Sequence, residues 1–211
     1  MVNAKEWLEI GQKFHGHKCP AMPNGLRVAE AAMNKLGVER TGDSFLHAIV
    51  ELGENHCATC FADGVQVITG CTFGKGNIEK THKGKWGLTL IDKCTNRAVR
   101  VVPKAEAMMQ TKKTDFFKNY REKGVPPTQV PDEVVQPLVD KVMNAPVEMI
   151  MTVSEVFEYK WKEPEHTFES IVCEMCGEMV VKKYSNEVNG KMVCKDCIPD
   201  AIFDVETRNF Q

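Results

Sequence analysis

The apolar positions in the first seventy residues follow helical spacing in three stretches and extended spacing in one. A first amphipathic helix is predicted from about Ala4 to Lys13. A second helix is predicted after Pro23-Asn24, and it ends at Gly37 in the usual C-cap position. Residues 45–52 read as a buried strand, and a short third helix is expected from about Phe61 to Gly70.

The second half of the larger region is predicted to contain more strands and a broken helical stretch. Strands are expected at about 86–94 and 98–102, with a tight turn at Thr95-Asn96 and with Cys94 buried in the first strand. Residues 105–122 are helical in pattern but interrupted. A proline-rich loop at 124–131 precedes a helix at 133–143 that is expected to break near Pro137. Residues 149–161 are ambiguous, and strands at 149–153 and 156–159 are favoured over a short helix.

Four cysteines near the end of the chain form two C-x2-C pairs. They are Cys173, Cys176, Cys194 and Cys197. Seventeen residues separate the pairs, which is the knuckle spacing of a tetrahedral zinc site. Gly177 suits the backbone after the first knuckle, and Asn189-Gly190 is a strong hairpin signal. The alternatives, two disulfides or a thioredoxin-like pair, require an oxidising compartment or a βαβ context, and the sequence indicates neither.

Domain limits follow from composition. Glu163-Pro164-Glu165-His166 is the best candidate linker, so we expect a core domain over 1–162 and a zinc ribbon with a short tail over 163–211. A ribbon of this size buries little apolar area, so metal binding must supply most of its folding free energy.

Charge and cysteine content limit the partners and the compartment. Residues 173–211 carry seven acidic and five basic residues, so nucleic-acid binding by the ribbon is unfavourable. Residues 75–113 carry ten basic and three acidic residues, which suits either a solvated sheet face or an anionic ligand. Nine cysteines without a signal-peptide pattern or a long apolar run predict reduced thiols, a cytoplasmic location and no membrane association.

Further potential ligands lie at the predicted loops of the core. His15, His17 and Cys19 occur within five residues at a helix boundary. Other loops carry His56, Cys57 and Cys60, and then Cys71. If these loops converge, they form either a metal site of imidazole and thiolate or an activated thiol, whereas isolated residues of these types are usually structural. Cys60 starts the third helix, where the helix dipole is expected to lower the thiol pKa. Asp63 and Gln66 are placed to orient a ligand.

Three motifs, in order, resemble the FmdE family of formylmethanofuran dehydrogenase proteins over about residues 1–155. They are His15-Gly16-His17-x-Cys19-Pro20, Cys60-Phe-Ala-Asp63-Gly-Val-Gln66, and Thr69-Gly70-Cys71-Thr72-x-Gly74-Lys75-Gly76-Asn77. Gly64 stands where the family commonly has alanine. The resemblance implies an α+β core, a small C-terminal zinc-ribbon (treble-clef or zinc-finger-like) domain that some members carry, and an intertwined homodimer. It further implies a protein association with a molybdenum or tungsten oxidoreductase.

The matching positions supply a candidate core site. We assign Cys60, His17 and Asp63 as catalytic candidates. The ligand-binding candidates are Cys19, Gln66, Thr69, Cys71, Gly74 and Lys75. The preferred hypothesis is a metal-binding protein with a Cys/His pocket that serves redox or one-carbon metabolism, with zinc in the ribbon and a second metal in the core. The alternatives are a small-molecule-sensing regulator whose ribbon contacts protein or nucleic acid, and a purely structural component of an assembly; whether the core catalyses a reaction stays open.

Overall fold

The computed structural model describes residues 1–198, and its contacts divide the chain into two compact units. The first unit is Met1–Trp161, and the second begins at Lys162. No helix within residues 1–198 combines the length and the apolar character that crossing a membrane requires.

The helices of the first unit other than α6 follow the predicted apolar spacing. A 3-10 turn, Ala4–Trp7, leads into α1. The α-helices are α1 (Leu8–His15), α2 (Ala21–Leu36), α3 (Phe61–Thr69), α4 (Ala105–Thr111), α5 (Asp132–Asn144) and α6 (Val147–Ile150). A π-helical segment, Phe116–Arg121, lies between α4 and α5. Glycines in the left-handed conformation end α1, α2 and α3, as the sequence predicts for the last two.

A mixed sheet forms the other layer of this unit. Its strands are β1 (Leu46–Val50), β2 (Ile78–Lys80), β3 (Leu88–Asp92), β4 (Arg97–Pro103), β5 (Met151–Val153) and β6 (Phe157–Glu158). The strand order is β2-β1-β3-β4-β5, and β6 also pairs with β4. Only the β1–β2 pair is parallel among these strands. The mixed α/β content agrees with the fold that the resemblance implies.

The core lies between α2 and the sheet, with α3 packed against α2. Met22, Leu26 and Met33 of α2 are fully buried, as are Leu88 and Leu90 of β3. Two glycines allow α2 and α3 to approach closely. A Cβ on Gly25 would lie 2.0 Å from the Phe61 carbonyl oxygen, and a Cβ on Gly64 would lie 2.1 Å from that of Met22. The pair therefore sets the distance between the two helices that carry candidate ligands at their starts.

Several sequence expectations for the first unit were wrong. The second helix begins at Ala21, because Pro23 falls in its first turn, where a missing N–H costs nothing. Helix α5 continues through Pro137. One lost hydrogen bond there is offset by the buried apolar face of Val135, Val139 and Met143.

Two strand predictions were also partly wrong. Met149 and Ile150 belong to the short helix α6, and extended structure starts only at Met151. Strand β3 ends at Asp92, so Cys94 lies in the following turn and is exposed. The Asp92 carboxylate accepts the Cys94 N–H at 3.1 Å and thereby ends the strand. Strand β2 was not predicted, since three residues give too short a pattern.

The second unit consists of two hairpins. Strands β7 (Ser170–Val172) and β8 (Met179–Val181) form one, and β9 (Ser185–Val188) and β10 (Lys191–Cys194) form the other. The hairpin that Asn189-Gly190 predicts is β9–β10. The first knuckle lies inside the additional β7–β8 hairpin, and the second begins at Cys194, the last residue of β10. The tail from residue 199 onward lies outside the described residues.

Candidate metal centres

The four terminal cysteines converge on one point of the second unit. The sulfur atoms of Cys173, Cys176, Cys194 and Cys197 all lie within 4.8 Å of one another. Cys173 and Cys194 are buried, whereas Cys176 is exposed. None of the four is disulfide-bonded. The arrangement places four thiol ligands where one metal ion could contact all of them.

Local backbone geometry builds this cluster as the sequence predicts. Gly177 has φ +77° and donates its N–H to the Cys173 carbonyl at 2.9 Å, which closes the first knuckle. Asn189 and Gly190 have φ +52° and +76°, so both central residues of the β9–β10 turn are left-handed. Only Cys173, Val193 and Cys194 are buried apolar residues in this unit, within the described part of the chain.

Hydrogen bonds prepare one of these thiols for metal binding. The backbone N–H groups of Cys176 and Cys194 lower the pKa of Cys173 to about 6. The neighbouring thiols oppose a second ionisation, so the pKa of Cys197 is raised chiefly by its hydrogen bond with Cys194. A cation among the sulfur atoms would remove that opposition.

A second cluster lies in the first unit. The ligand atoms of His15, His17, Cys19 and Cys60 are also within 4.8 Å of one another. The His15 and His17 Nε2 atoms are 3.1 Å apart, and Cys19 Sγ is 3.6 Å from His15 Nε2. The cluster is half-open, because Cys19 is buried while His17 and Cys60 are partly exposed.

The termini of three helices bring this cluster together. His15 is the last residue of α1, where Gly16 in the left-handed conformation turns the chain back. Cys19 stands two residues before α2, and Cys60 is the N-cap of α3. The close α2–α3 contact at Gly25 and Gly64 therefore also brings Cys19 next to Cys60.

An acidic side chain orients the first histidine. His15 Nδ1 lies 2.6 Å from Asp63 Oδ2, in the first turn of α3. Because a carboxylate accepts hydrogen bonds, Nδ1 carries the proton and the lone pair of Nε2 faces His17 and Cys19. A histidine that binds a metal almost always donates its other ring N–H to a carboxylate, a backbone carbonyl or water, and Asp63 is such a partner.

Ligand spacing in both clusters fits a tetrahedral ion. A zinc ion with Zn–N bonds of about 2.05 Å and Zn–S bonds of about 2.3 Å separates its ligand atoms by about 3.3–3.8 Å. In the core, the sulfur–nitrogen distance of 3.6 Å falls in this range, and the nitrogen–nitrogen distance of 3.1 Å is slightly shorter. In the terminal cluster, Cys176 Sγ and Cys194 Sγ are 3.8 Å apart. Two imidazoles with two thiolates, and four thiolates, are both ligand sets that zinc accepts.

Electrostatics in the core cluster favour the protonation states of ligands. A hydrogen bond from Cys60, with help from the Met22 and Ala21 N–H groups, lowers the pKa of Cys19 to about 7. Burial lowers the pKa of His17, and the charges of His15 and Arg121 lower it further. A metal ion requires a thiolate and a neutral imidazole, so both shifts reduce the proton competition.

For Cys60 the predicted direction of the pKa shift was wrong. Its hydrogen bond with Cys19 and its burial raise the pKa of this thiol, despite its position at the start of α3. The adjacent thiol ionises first, and the helix dipole does not offset the repulsion of a second negative charge.

The other predicted ligand-binding residues lie along α3 and beyond its end. Gln66 donates from Nε2 to Asp63 Oδ1 at 3.3 Å, so it contacts the residue that orients His15. Thr69, Cys71, Gly74 and Lys75 are not brought into the cluster, since the nine-residue rise of α3 separates Thr69 from Cys60 by about 13 Å. Burial raises the pKa of Cys71 to about 11. Lys75 Nζ lies 3.4 Å from the Gly42 carbonyl.

The remaining histidine and cysteine of the predicted loops have local structural contacts. His56 Nε2 accepts the Gly53 N–H at 2.8 Å, and the His56 ring meets Trp86 edge-on. Cys57 is exposed. Neither residue belongs to the cluster of potential ligands.

His15 was absent from the residues selected from the sequence, although it was noted as a potential ligand. The structure places it at the centre of the cluster, in contact with Asp63, His17 and Cys19. The signal was the H-x-H-x-C spacing, which puts three potential ligands within five residues. Its pairing with Asp63, forty-eight residues away, had no local sequence signal.

Comparisons with known proteins point to one family. The family model described as FmdE, Molybdenum formylmethanofuran dehydrogenase operon, matches residues 14–152, about two thirds of the chain. A protein of Archaeoglobus fulgidus, described as a probable S-adenosyl-L-methionine-binding protein, is 31% identical over 180 residues. That match covers 81% of this chain but 47% of the relative, so the chain spans about half of that protein's length.

A solved structure has the same fold. It is a tungsten formylmethanofuran dehydrogenase FmdE-like protein from Syntrophus aciditrophicus, and it matches with a TM-score of 0.58. The match covers 87% of this chain and 91% of that structure, at 21% sequence identity. The core cluster lies within the residues that the family model matches, and the terminal cysteines follow them.

Proposed function

Because this chain belongs to the FmdE family, whose members the family description connects with the molybdenum formylmethanofuran dehydrogenase operon, we propose that it is a protein with two metal sites. The terminal cluster is a structural site. The core cluster is the functional site, and it serves redox or one-carbon metabolism linked to a molybdenum or tungsten enzyme. The link to a molybdenum or tungsten enzyme is supported by the descriptions of the family and of the similar solved structure.

The observation that carries the proposal is the core cluster itself. Four ligand atoms within 4.8 Å, from three separate helix termini, converge beside a carboxylate that fixes the tautomer of one histidine. A packed core without a ligand would gain nothing from placing two thiols and two imidazoles together in a half-open position. The donor set favours zinc over magnesium or calcium, which prefer oxygen ligands.

The residues of the core site would have different roles. When bound, a zinc ion supplies Lewis-acid chemistry. His15 and Cys19, which are the less exposed pair, would hold the ion, and Asp63 would keep His15 Nδ1 protonated. His17 and Cys60 are more accessible, so either side chain is placed to exchange with a ligand or to carry a proton.

Metal analysis of matched variants tests this function. We expect the parent protein to bind two equivalents of zinc or cobalt, and the His15→Ala/Cys60→Ser variant to bind one. Cys57→Ser and Cys94→Ser, which change exposed cysteines outside both clusters, are controls and should retain two. A double variant that binds as much metal as the parent would exclude the core site.

The expected partners are part of the same proposal. We propose a homodimer and an association with a molybdenum or tungsten oxidoreductase. Light scattering of the purified chain gives the oligomeric state directly. Co-purification with the oxidoreductase, compared between the parent and His15→Ala/Cys60→Ser, tests the association.

A second candidate function is small-molecule binding, and the Archaeoglobus fulgidus relative favours it. That protein is described as S-adenosyl-L-methionine-binding. Titration calorimetry of this chain with S-adenosylmethionine is the direct test. Heat of binding in the parent that disappears in His15→Ala/Cys60→Ser would place the ligand at the core cluster, whereas no heat in either would remove this candidate.

A further inference from the structure

One hydrogen-bond chain joins the core cluster to a loop at the other end of α3. The backbone N–H of Phe73 donates to Gln66 Oε1 at 3.1 Å. Gln66 Nε2 donates to Asp63 Oδ1 at 3.3 Å, and Asp63 Oδ2 bonds His15 Nδ1 at 2.6 Å. In this series of hydrogen bonds, each atom can act only as donor or only as acceptor. A backbone N–H can only donate, so the amide oxygen of Gln66 faces Phe73 and its nitrogen faces Asp63.

The loop that contains the Phe73 N–H is anchored to the sheet as well as to α3. Asn77 Oδ1 accepts the Thr72 N–H at 2.8 Å, and Asn77 Nδ2 donates to the Leu46 carbonyl at 3.2 Å. The Asn77 carbonyl also accepts the Ala48 N–H of β1 at 3.0 Å. Asn77 is buried, so the position of the Phe73 N–H follows β1.

This loop lies in the third of the three sequence motifs, residues 69–77. We propose that the loop Thr72–Asn77 positions the core metal ligands through Gln66, which acts as a positioning residue for His15. This inference rests on the proposed metal-binding function and deepens it. The affinity of the core site for metal would then depend on the Phe73 N–H, which contacts neither the metal nor any residue that binds it.

A proline substitution can remove the Phe73 N–H with little other change. Phe73 is the first residue of a 3-10 turn, Phe73–Lys75, a position that proline tolerates. Thr72 has φ −127° and ψ +154°, which is the conformation that a following proline requires. The Phe73 side chain is 88% exposed, so its replacement removes little packing. Phe73→Pro deletes the donor, and Phe73→Ala is the matched control that keeps it.

Cobalt binding and the cobalt spectrum provide readouts independent of any activity. The spectrum of His15→Ala/Cys60→Ser, which keeps the terminal cluster, is subtracted to isolate the core site. We expect Phe73→Pro and Gln66→Leu each to weaken core cobalt binding by up to roughly 10-fold, the lower end of what direct contacts to ligands contribute, and to shift its absorption bands. Phe73→Ala should match the parent, and the Phe73→Pro/Gln66→Leu double variant should be no weaker than Gln66→Leu.

The outcomes separate this inference from the proposed function. If the parent core binds cobalt and Phe73→Pro binds it with the same affinity and spectrum, the positioning role is refuted while the metal site stands. The same conclusion follows if the losses of cobalt affinity in Phe73→Pro and Gln66→Leu add in the double variant. If the parent core binds no cobalt, both proposals fall. Thermal unfolding of each variant shows whether the fold itself changed. If Phe73→Pro and Phe73→Ala lower the Tm and the cobalt affinity equally, the result counts against positioning.

Discussion

His15 Nδ1 lies 2.6 Å from Asp63 Oδ2, and this one contact connects the end of α1 to the first turn of α3 across forty-eight residues. The His15 side chain is 8% exposed and that of Asp63 is 32% exposed, so the pair is sheltered from water. The contact fixes which nitrogen of His15 is available as a ligand. Helix packing and ligand chemistry are thereby coupled in the core unit.

Replacing Asp63 with asparagine should weaken the core metal site. Asparagine cannot accept from both His15 and Gln66, because one of its two polar atoms is an N–H donor. We expect core metal affinity to fall roughly 10- to 100-fold, by analogy with other residues that orient histidine ligands. Competition with a chromophoric chelator measures it. Asp140→Asn, on the exposed surface of α5, should bind as the parent does, and an equal loss there would show a nonspecific charge effect.

Alanine at either helix-contact glycine should destabilise the core unit. The added Cβ meets a backbone carbonyl oxygen at 2.0 Å for Gly25 and 2.1 Å for Gly64, so the helices must separate. We expect a loss of about 1–3 kcal/mol for each, measured by denaturant unfolding. The alanine common at the position of Gly64 in the family would thus be poorly tolerated here. Gly42→Ala, with no atom within 4 Å of its Cβ, is the control and should be nearly neutral.

Removing metal from the terminal cluster should unfold the second unit. Its described residues bury only Cys173, Val193 and Cys194 as apolar groups, too few to balance the chain entropy. Amide spectra of Cys194→Ser, or of the chelated protein, should lose the dispersed signals of β7–β10. Signals from α2 and β3 should persist in Cys194→Ser, and Cys94→Ser should resemble the parent. Dispersed β7–β10 signals in metal-free protein would contradict the structural role.

Acid stability should depend on the pair formed by Glu51 and Arg100. Arg100 donates from Nε and Nη2 to the two carboxylate oxygens of Glu51, each at 2.7 Å, and these bonds lower the Glu51 pKa below its ordinary 4.5. A depressed carboxyl pKa stabilises the fold fully above about 4.5. That contribution is lost as the pH falls through the lower, folded-state value.

The variant Glu51→Gln tests this pH dependence. Its Tm should lie below that of the parent at pH 6, and the difference should shrink as the pH falls below 4.5. Acid also releases metal from both the parent and Glu51→Gln, so the difference between their Tm values reports the contribution of Glu51. The exposed Glu155→Gln should show no such difference, because Glu155 is 92% exposed beside Lys35. A difference between parent and Glu51→Gln that grows toward low pH would have the wrong sign for this pair.

Sequence patterns alone identified the helices of the core other than α6, most of its strands and all four terminal cysteines. Local rules suffice for these features. Helical spacing and a C-cap glycine define α3, and Asn189-Gly190 defines a hairpin, because each depends on residues within one or two turns. Two C-x2-C pairs likewise carry their ligand geometry in their own spacing. The prediction failed where burial outweighs a local preference, as at Pro137 inside α5.

Membership of the core cluster was decided only by tertiary structure. Cys60 and Cys71 are similar in the sequence, yet Cys60 joins His15 while Cys71 is buried beyond the far end of α3. The deciding factor is the close packing at Gly25 and Gly64, which brings the starts of α2 and α3 together. The sequence by itself determined which residue types were available and on which elements they lie. The packing of those elements determined which of them meet, because a contact across forty-eight residues depends on how whole helices pack and has no signature in local spacing.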